Sequence, residues 1–255
     1  MTILQAVVLG IVQGLTEFLP VSSSAHLIII QNLFHLEGPL LLVFDVVVHV
    51  GTLSALLIYF AKDFFPLSKI SARMFWLIVL ATIPTGIIGL LIKHWTEHSF
   101  MALWLTAFTL FINSIILIST WWAPRRDQHV MNRWWDALWI GIVQGISVLP
   151  GISRSGSTVA AALWLKVKGE DAVRFSFFIA IPAILAAAVL VLPQSIQFFS
   201  SDTWPVLAVG FVSALVSGYF SIFIVFRVIS KGKFHYFAFY TLLLALVSFI
   251  FSLHH

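Results

Sequence analysis

Gly10–Leu27 reads G-I-V-Q-G-L-T-E-F-L-P-V-S-S-S-A-H-L, and Gly141–Thr158 reads G-I-V-Q-G-I-S-V-L-P-G-I-S-R-S-G-S-T. Both copies open with the same five residues, reach a proline within five or six positions, and run into serines. The first copy carries Glu17 and His26, the second Arg154. The two copies read as halves of one site, and a guanidinium among hydroxyls makes phosphate its natural ligand.

The surrounding chain decides where such a site can sit. Of its 255 residues, 60% are hydrophobic and only 9% charged, with mean hydropathy +1.04. A soluble domain is about 25% charged, so this chain belongs in a bilayer. The 24 Phe and 10 Trp suit lipid-facing surfaces and interfacial belts. The absence of cysteine excludes disulfide and thiolate chemistry. Net charge +4 reads as loop bias, because no basic run interleaved with aromatics points to nucleic acid. No basic leader segment precedes the first apolar run, so a cleaved signal peptide is not expected.

Residues 3–19 are apolar with helical period, but at ~1.5 Å per residue they rise about 25 Å, short of a ~30 Å hydrocarbon core. Pro20 breaks the helix, Ser22 can cap a new one, and a second apolar run ends at Phe34. Two half-length helices around a polar elbow predict a re-entrant hairpin. One span kinked at Pro20 is the alternative. Three full spans follow near 40–60, 74–92 and 100–122. A second hairpin is expected at 136–165, broken at Pro150-Gly151, and then spans near 173–192, 204–226 and 235–253. The expected fold is therefore an all-α integral membrane protein, with six transmembrane helices plus two re-entrant hairpins in one domain over 1–255. An odd number of spans per half inverts the second repeat (136–253) against the first (1–122), so the hairpins enter from opposite faces.

Lysine and arginine set the orientation. Lys62, Lys69, Arg73, Arg125, Arg126, Arg133, Lys166, Lys168, Arg174, Arg227, Lys231 and Lys233 fall on one face, Lys93 on the other, and Arg154 inside the second elbow. The basic face is expected to be cytoplasmic. Both termini and the first hairpin's mouth then face outward.

Arg154 needs a reason to be where it is, since a guanidinium at bilayer centre costs about 2.5–3.5 kcal/mol on insertion scales. It stands at the start of a helix, whose free N–H groups and dipole attract anions. Gly151 and Gly156 allow close backbone approach, and Ser153, Ser155, Ser157 and Thr158 add hydroxyls. Structural pairing of Arg154 with Glu17 is a compatible second reading. Gln13 and Glu17 lie four apart on one face, where they could hold a hard cation such as Mg²⁺ or Ca²⁺, or supply a general base. Ser22, Ser23, Ser24 and His26 form the first elbow. Ser23 and His26 share a helix face, which suits a hydroxyl nucleophile with an imidazole acting on it or on the leaving oxygen. Asp45 and His49 make an auxiliary polar pair, either functional or structural. Asn113 reads as helix–helix glue, and His254-His255 as an exposed end.

The two signatures Q-G-L-T-E-F-L-P-V-S-S-S-A-H and P-G-I-S-R-S-G-S-T resemble those of the integral-membrane undecaprenyl-pyrophosphate phosphatases, also described as bacitracin-resistance proteins, over essentially the whole chain. The resemblance implies an enzyme of the plasma (inner) membrane. It would remove the terminal phosphate of a C55 polyprenyl pyrophosphate and return the lipid carrier to cell-wall (peptidoglycan) synthesis. Carried over, the acidic motif falls on Gln13 and Glu17, the serine and histidine on Ser23 and His26, and the phosphate loop on Ser153, Arg154 and Thr158. A divalent metal, Mg²⁺ or Ca²⁺, is also implied. Gln13 departs from the glutamate of many relatives, and an amide is no base and a weaker ligand. Substrate lipid and bilayer are the expected partners, with a homodimer as the candidate assembly. A transporter of polyprenyl phosphate or another anion is the rival reading, since inverted repeats with broken helices are its usual signature.

Overall fold

The computed structural model describes residues 1–64, 71–96, 103–195 and 203–253. Every regular element there is helical: α1 (Ile3–Phe18), α2 (Ser23–Leu33), α3 (Pro39–Tyr59), α4 (Ala61–Phe64), α5 (Ala72–Thr96), α6 (Leu103–Ser119), α7 (Trp134–Ile146), α8 (Arg154–Trp164), α9 (Gly169–Ser195), α10 (Trp204–Ser230) and α11 (Phe237–Ser252). Among the described residues, six segments are long and apolar enough to cross a membrane: Pro39–Tyr59, Ala72–Ile92, Leu103–Trp122, Gly169–Val191, Trp204–Ser230 and Phe234–Ser252. The protein is a multi-pass membrane protein.

The expected spans appear, with ends that differ by a few residues. One such difference is at α9, which starts at Gly169 rather than near 173. Glu170 and Asp171 depress hydropathy there, but they sit in the first turn, where acidic side chains complement the helix dipole. Likewise α10 runs on to Ser230 with Arg227 in its last turn. Lys69 and the His254-His255 pair fall outside the described residues.

Both motif segments are broken. α1 ends at Phe18 and α2 starts at Ser23, while α7 ends at Ile146 and α8 starts at Arg154. Thr2 and Gln5 close a reciprocal capping box on α1. At the far end, Pro20 cannot donate to a continuing helix. Ser22 caps α2 with its side chain and holds φ at +66°, an uncommon conformation for a residue with a Cβ. Each segment makes two short helices, compatible with a re-entrant hairpin.

The glycines of the two G-I-V-Q-G copies explain the helix pairing. α1 packs most extensively on α10, and α7 on α5. At Gly14 an added Cβ would meet Ser217 Oγ and come within 2.5 Å of the Ala214 carbonyl; at Gly141 it would run into the Ala81 backbone, 2.7 Å from its Cα. Only a residue without a Cβ permits such approach, and such contacts hold helices together where lipid removes any hydrophobic drive. Each motif helix thus lies against the second long span of the other half. α6 packs on α11, and α3 touches both α9 and α10. This exchange is compatible with halves related by a two-fold rotation.

One end carries the basic loops. Arg73 Nε donates to the Asn132 carbonyl at 2.7 Å, Arg174 pairs with Asp63 at 2.9 Å, and His129 N donates to the Lys166 carbonyl at 2.9 Å. A buried aromatic cluster lies beneath. Phe18 meets Phe177 edge-on at 5.1 Å, and Phe60 meets Phe178 at 5.3 Å.

Candidate active site

Glu17 closes the last turn of α1, Ser23 opens α2, and Arg154 opens α8. The two helix breaks bring these three together. Glu17 Oε1 forms an ion pair with Arg154 Nη2. Its Oε2 accepts from Ser23 Oγ at 2.6 Å and from Gln13 Nε2 at 3.0 Å. His49 of α3 approaches the same oxygen, with Nε2 at 3.7 Å. One carboxylate is addressed from four helices.

The elbows are also tied to each other. Gly151 N donates to Ser22 Oγ at 3.1 Å, and Ser155 Oγ to the Leu19 carbonyl at 3.0 Å. Asn113 bridges them from α6: its Nδ2 donates to the Pro20 carbonyl at 3.3 Å, while its Oδ1 accepts from Ser153 N at 3.0 Å. It does more than join helices. Gly151 takes φ +96°, and a Cβ there would strike Thr109. Ser153 caps α8 by accepting from Gly156 N at 3.1 Å.

A cavity of about 340 Å³ opens beside this contact. Its polar wall includes Glu17, Ser22, Ser23, Ser24, Asp45, His49, Ser153 and Arg154. Leu42 and Val46 of α3 and Ile184, Ala187, Ala188 and Val191 of α9 supply an apolar side. Arg154 Nη1 is buried and has no hydrogen-bond partner among the described residues. A buried guanidinium donor left unpaired is costly, and phosphate oxygens would satisfy it.

The other expected residues sit behind the wall. Gln13 is fully buried and turns its amide N–H to Glu17, so it orients that carboxylate, with its own carbonyl oxygen unpartnered among the described residues. Thr158 Oγ1 donates to the Arg154 carbonyl at 2.7 Å and shares a 2.6 Å bond with Ser176 Oγ. At Gly156 a Cβ would crowd Pro20 at 3.1 Å, so that glycine lets the elbows meet.

His26 differs most from expectation. The Ser22 carbonyl, 2.8 Å from Nδ1, can only accept, so Nδ1 carries hydrogen. Nε2 then accepts from the Tyr240 hydroxyl at 2.7 Å. Both ring nitrogens are engaged, and the Ser23 hydroxyl is bonded to Glu17. A shared helix face gave the two residues proximity, but the elbow turns Ser23 toward α1. Asp45 does line the cavity, and its Oδ1 accepts from Gln31 Nε2 at 2.7 Å. His49 is the imidazole on the wall. Its spacing from Asp45 marked it as a polar pair, but nothing in the local sequence joins it to Glu17.

Among the described residues no group of three or more His, Cys, Asp or Glu could hold a metal. A closed protein cage therefore does not fit. A hydrated Mg²⁺ shared with a polyphosphate needs only one or two carboxylates, and Glu17 and Asp45 both face the cavity.

A family model described as bacitracin resistance protein BacA matches residues 6–247. An undecaprenyl-diphosphatase of Carboxydothermus hydrogenoformans is 41% identical over 249 residues, covering 94% of each chain. That of Desulfosudis oleivorans is 40% identical, covering 94% of this chain and 95% of its own. That of Methanobrevibacter smithii is 36% identical, covering 100% and 99%.

Proposed function

The chain belongs to the bacitracin resistance protein BacA family, and we propose from that premise that its cavity dephosphorylates undecaprenyl pyrophosphate. The protein is a membrane phosphatase: it releases inorganic phosphate and returns undecaprenyl phosphate, the lipid carrier used in cell-wall synthesis. The observation that carries the chemistry is the 2.6 Å bond from Ser23 Oγ to Glu17 Oε2, in a cavity shared with Arg154.

In this reading the terminal phosphate rests against Arg154 and the first N–H groups of α8. Ser23 Oγ attacks its phosphorus while Glu17 Oε2 takes the hydroxyl proton. The bridging P–O bond breaks, and its electron pair leaves with the polyprenyl monophosphate. Arg154 holds the non-bridging oxygens, with unpaired Nη1 as the spare donor. Water then attacks the phosphoserine phosphorus, the P–Oγ bond breaks as Glu17 returns its proton to Ser23 Oγ, and the water's own protons leave on the released phosphate. Gln13 keeps the carboxylate aimed, and His26, fixed by Tyr240, braces the elbow. A divalent cation carried with the pyrophosphate would be held by Glu17 and Asp45, and when bound it neutralises phosphate charge.

The hairpins are read as entering from opposite faces of the plasma membrane, with the basic loops cytoplasmic and the cavity opening outward.

Phosphate release from undecaprenyl pyrophosphate by purified protein tests the reading. Ser23→Ala, Glu17→Gln and Arg154→Ala should each lower kcat about 10²–10⁴-fold. Acid-quenched wild type should carry phosphate on Ser23 by mass spectrometry. Full activity in all three variants would remove the mechanism. Lipid moved across vesicles without phosphate release would favour the transporter.

A further inference from the structure

His49 is a wall residue to which that mechanism gives no task. On α3, Leu42, Asp45, Val46 and His49 follow helical spacing along one face, and all four line the cavity. His49 stands beside the Glu17 carboxylate, 3.7 Å away, while Leu42 and Val46, one to two turns earlier, continue into the apolar side with Ile184, Ala187 and Ala188 of α9. The cavity is therefore graded. Ser23 and Arg154 mark where the terminal phosphate must sit, aliphatic side chains mark where a prenyl chain can begin, and His49 lies between. In a prenyl diphosphate the group between those ends is the phosphate esterified to the lipid.

The ring is aimed for this. His49 Nδ1 donates to the Asp45 carbonyl at 2.6 Å, so Nε2 is the edge left for a ligand, and the side chain is 31% exposed. Nε2 can accept from a P–OH or, in the imidazolium, donate to a P–O⁻. His26 has neither edge free.

We propose that His49 is a substrate-contacting residue that holds the lipid-linked phosphate, the leaving group of the reaction. The proposal rests on the phosphatase reading of this cavity. It makes His49 a specificity element, separating a diphosphate on a lipid from free phosphate, while Arg154 binds phosphate of either kind.

Binding rather than turnover tests it. Farnesyl monophosphate and inorganic phosphate would be titrated separately into purified, detergent-solubilised protein and followed by ³¹P NMR. His49→Leu, similar in bulk with no polar edge, should raise the Kd for farnesyl monophosphate about ten- to a hundred-fold and leave that for inorganic phosphate within about twofold. His49→Gln, which keeps a donor and an acceptor at similar reach, should stay close to wild type. A wild-type Kd for farnesyl monophosphate in His49→Leu would overturn the proposal, as would an equal rise for both ligands. Should His49→Leu fail to fold, His49→Val takes its place with the same two outcomes. Failure of the underlying reading shows separately, as wild-type protein that frees no phosphate from the diphosphate.

Discussion

Glu17 is held by so many donors that its removal and its neutralisation should differ. Glu17→Gln keeps an acceptor for Ser23 but loses the charge paired with Arg154, whereas Glu17→Ala also frees Gln13, Ser23 and Arg154 inside the protein. Removing one partner of a buried ion pair costs about 3–5 kcal/mol. Glu17→Ala should therefore unfold at lower temperature than Glu17→Gln in a thermal-shift assay, although both lose turnover. Tyr240→Phe removes the hydroxyl that donates to His26 Nε2 and should cost about 1–3 kcal/mol of stability, with a smaller effect on kcat than Ser23→Ala. Much of this centre was legible as residue types. Glu17, Ser23 and Arg154 stand out because polar groups in apolar sequence need a purpose. His26 meets Tyr240 rather than Ser23 for a physical reason: helix spacing says which side chains can meet, but not which way an elbow turns a hydroxyl. His49 was visible only as the neighbour of Asp45, because its meeting with Glu17 joins α3 to α1 across a gap that sequence periodicity does not span.

At the scale of helices, the paired glycines make a sharper prediction. Gly14→Ala drives a methyl into Ser217 Oγ as well as the Ala214 carbonyl, and overpacking of this kind costs about 1–3 kcal/mol. Adding Ser217→Gly removes the side-chain part of the clash, so the double variant should recover part of the lost melting temperature. Gly141→Ala meets backbone of Ala81, and no side-chain change on α5 should recover it. Recovery at both sites, or at neither, would show that α1 and α7 are not seated as described. The repeat of G-I-V-Q-G was plain in the sequence, while its purpose was not. A glycine can serve a turn, a ligand or a close contact, and here the partner of Gly14 lies some 200 residues further along the chain.

For the molecule as a whole, the chain is suited to a direct measurement of its orientation in the bilayer. It contains no cysteine, so single cysteines report without background. With the basic loops cytoplasmic, Glu37→Cys should react with a membrane-impermeant maleimide on intact cells, and Arg126→Cys only after permeabilisation. The reverse pattern would turn the molecule over and place the cavity mouth inside. The six spans were readable because hydropathy and length suffice for them. Their pairing was less so, since lipid-facing and protein-facing sides of such helices are almost equally apolar.

Asn113 has a wider effect than its two hydrogen bonds suggest. It grips both elbows from α6, α6 is seated on α11, and α11 carries the tyrosine that braces His26. Neither α6 nor α11 contributes to the cavity wall among the described residues. α6 and α11 thus support the elbows from behind, while α3 and α9 supply the chamber's apolar side. An apolar molecule lodged against that side would then occupy the wall a lipid tail needs, and should slow turnover without touching Glu17, Ser23 or Arg154.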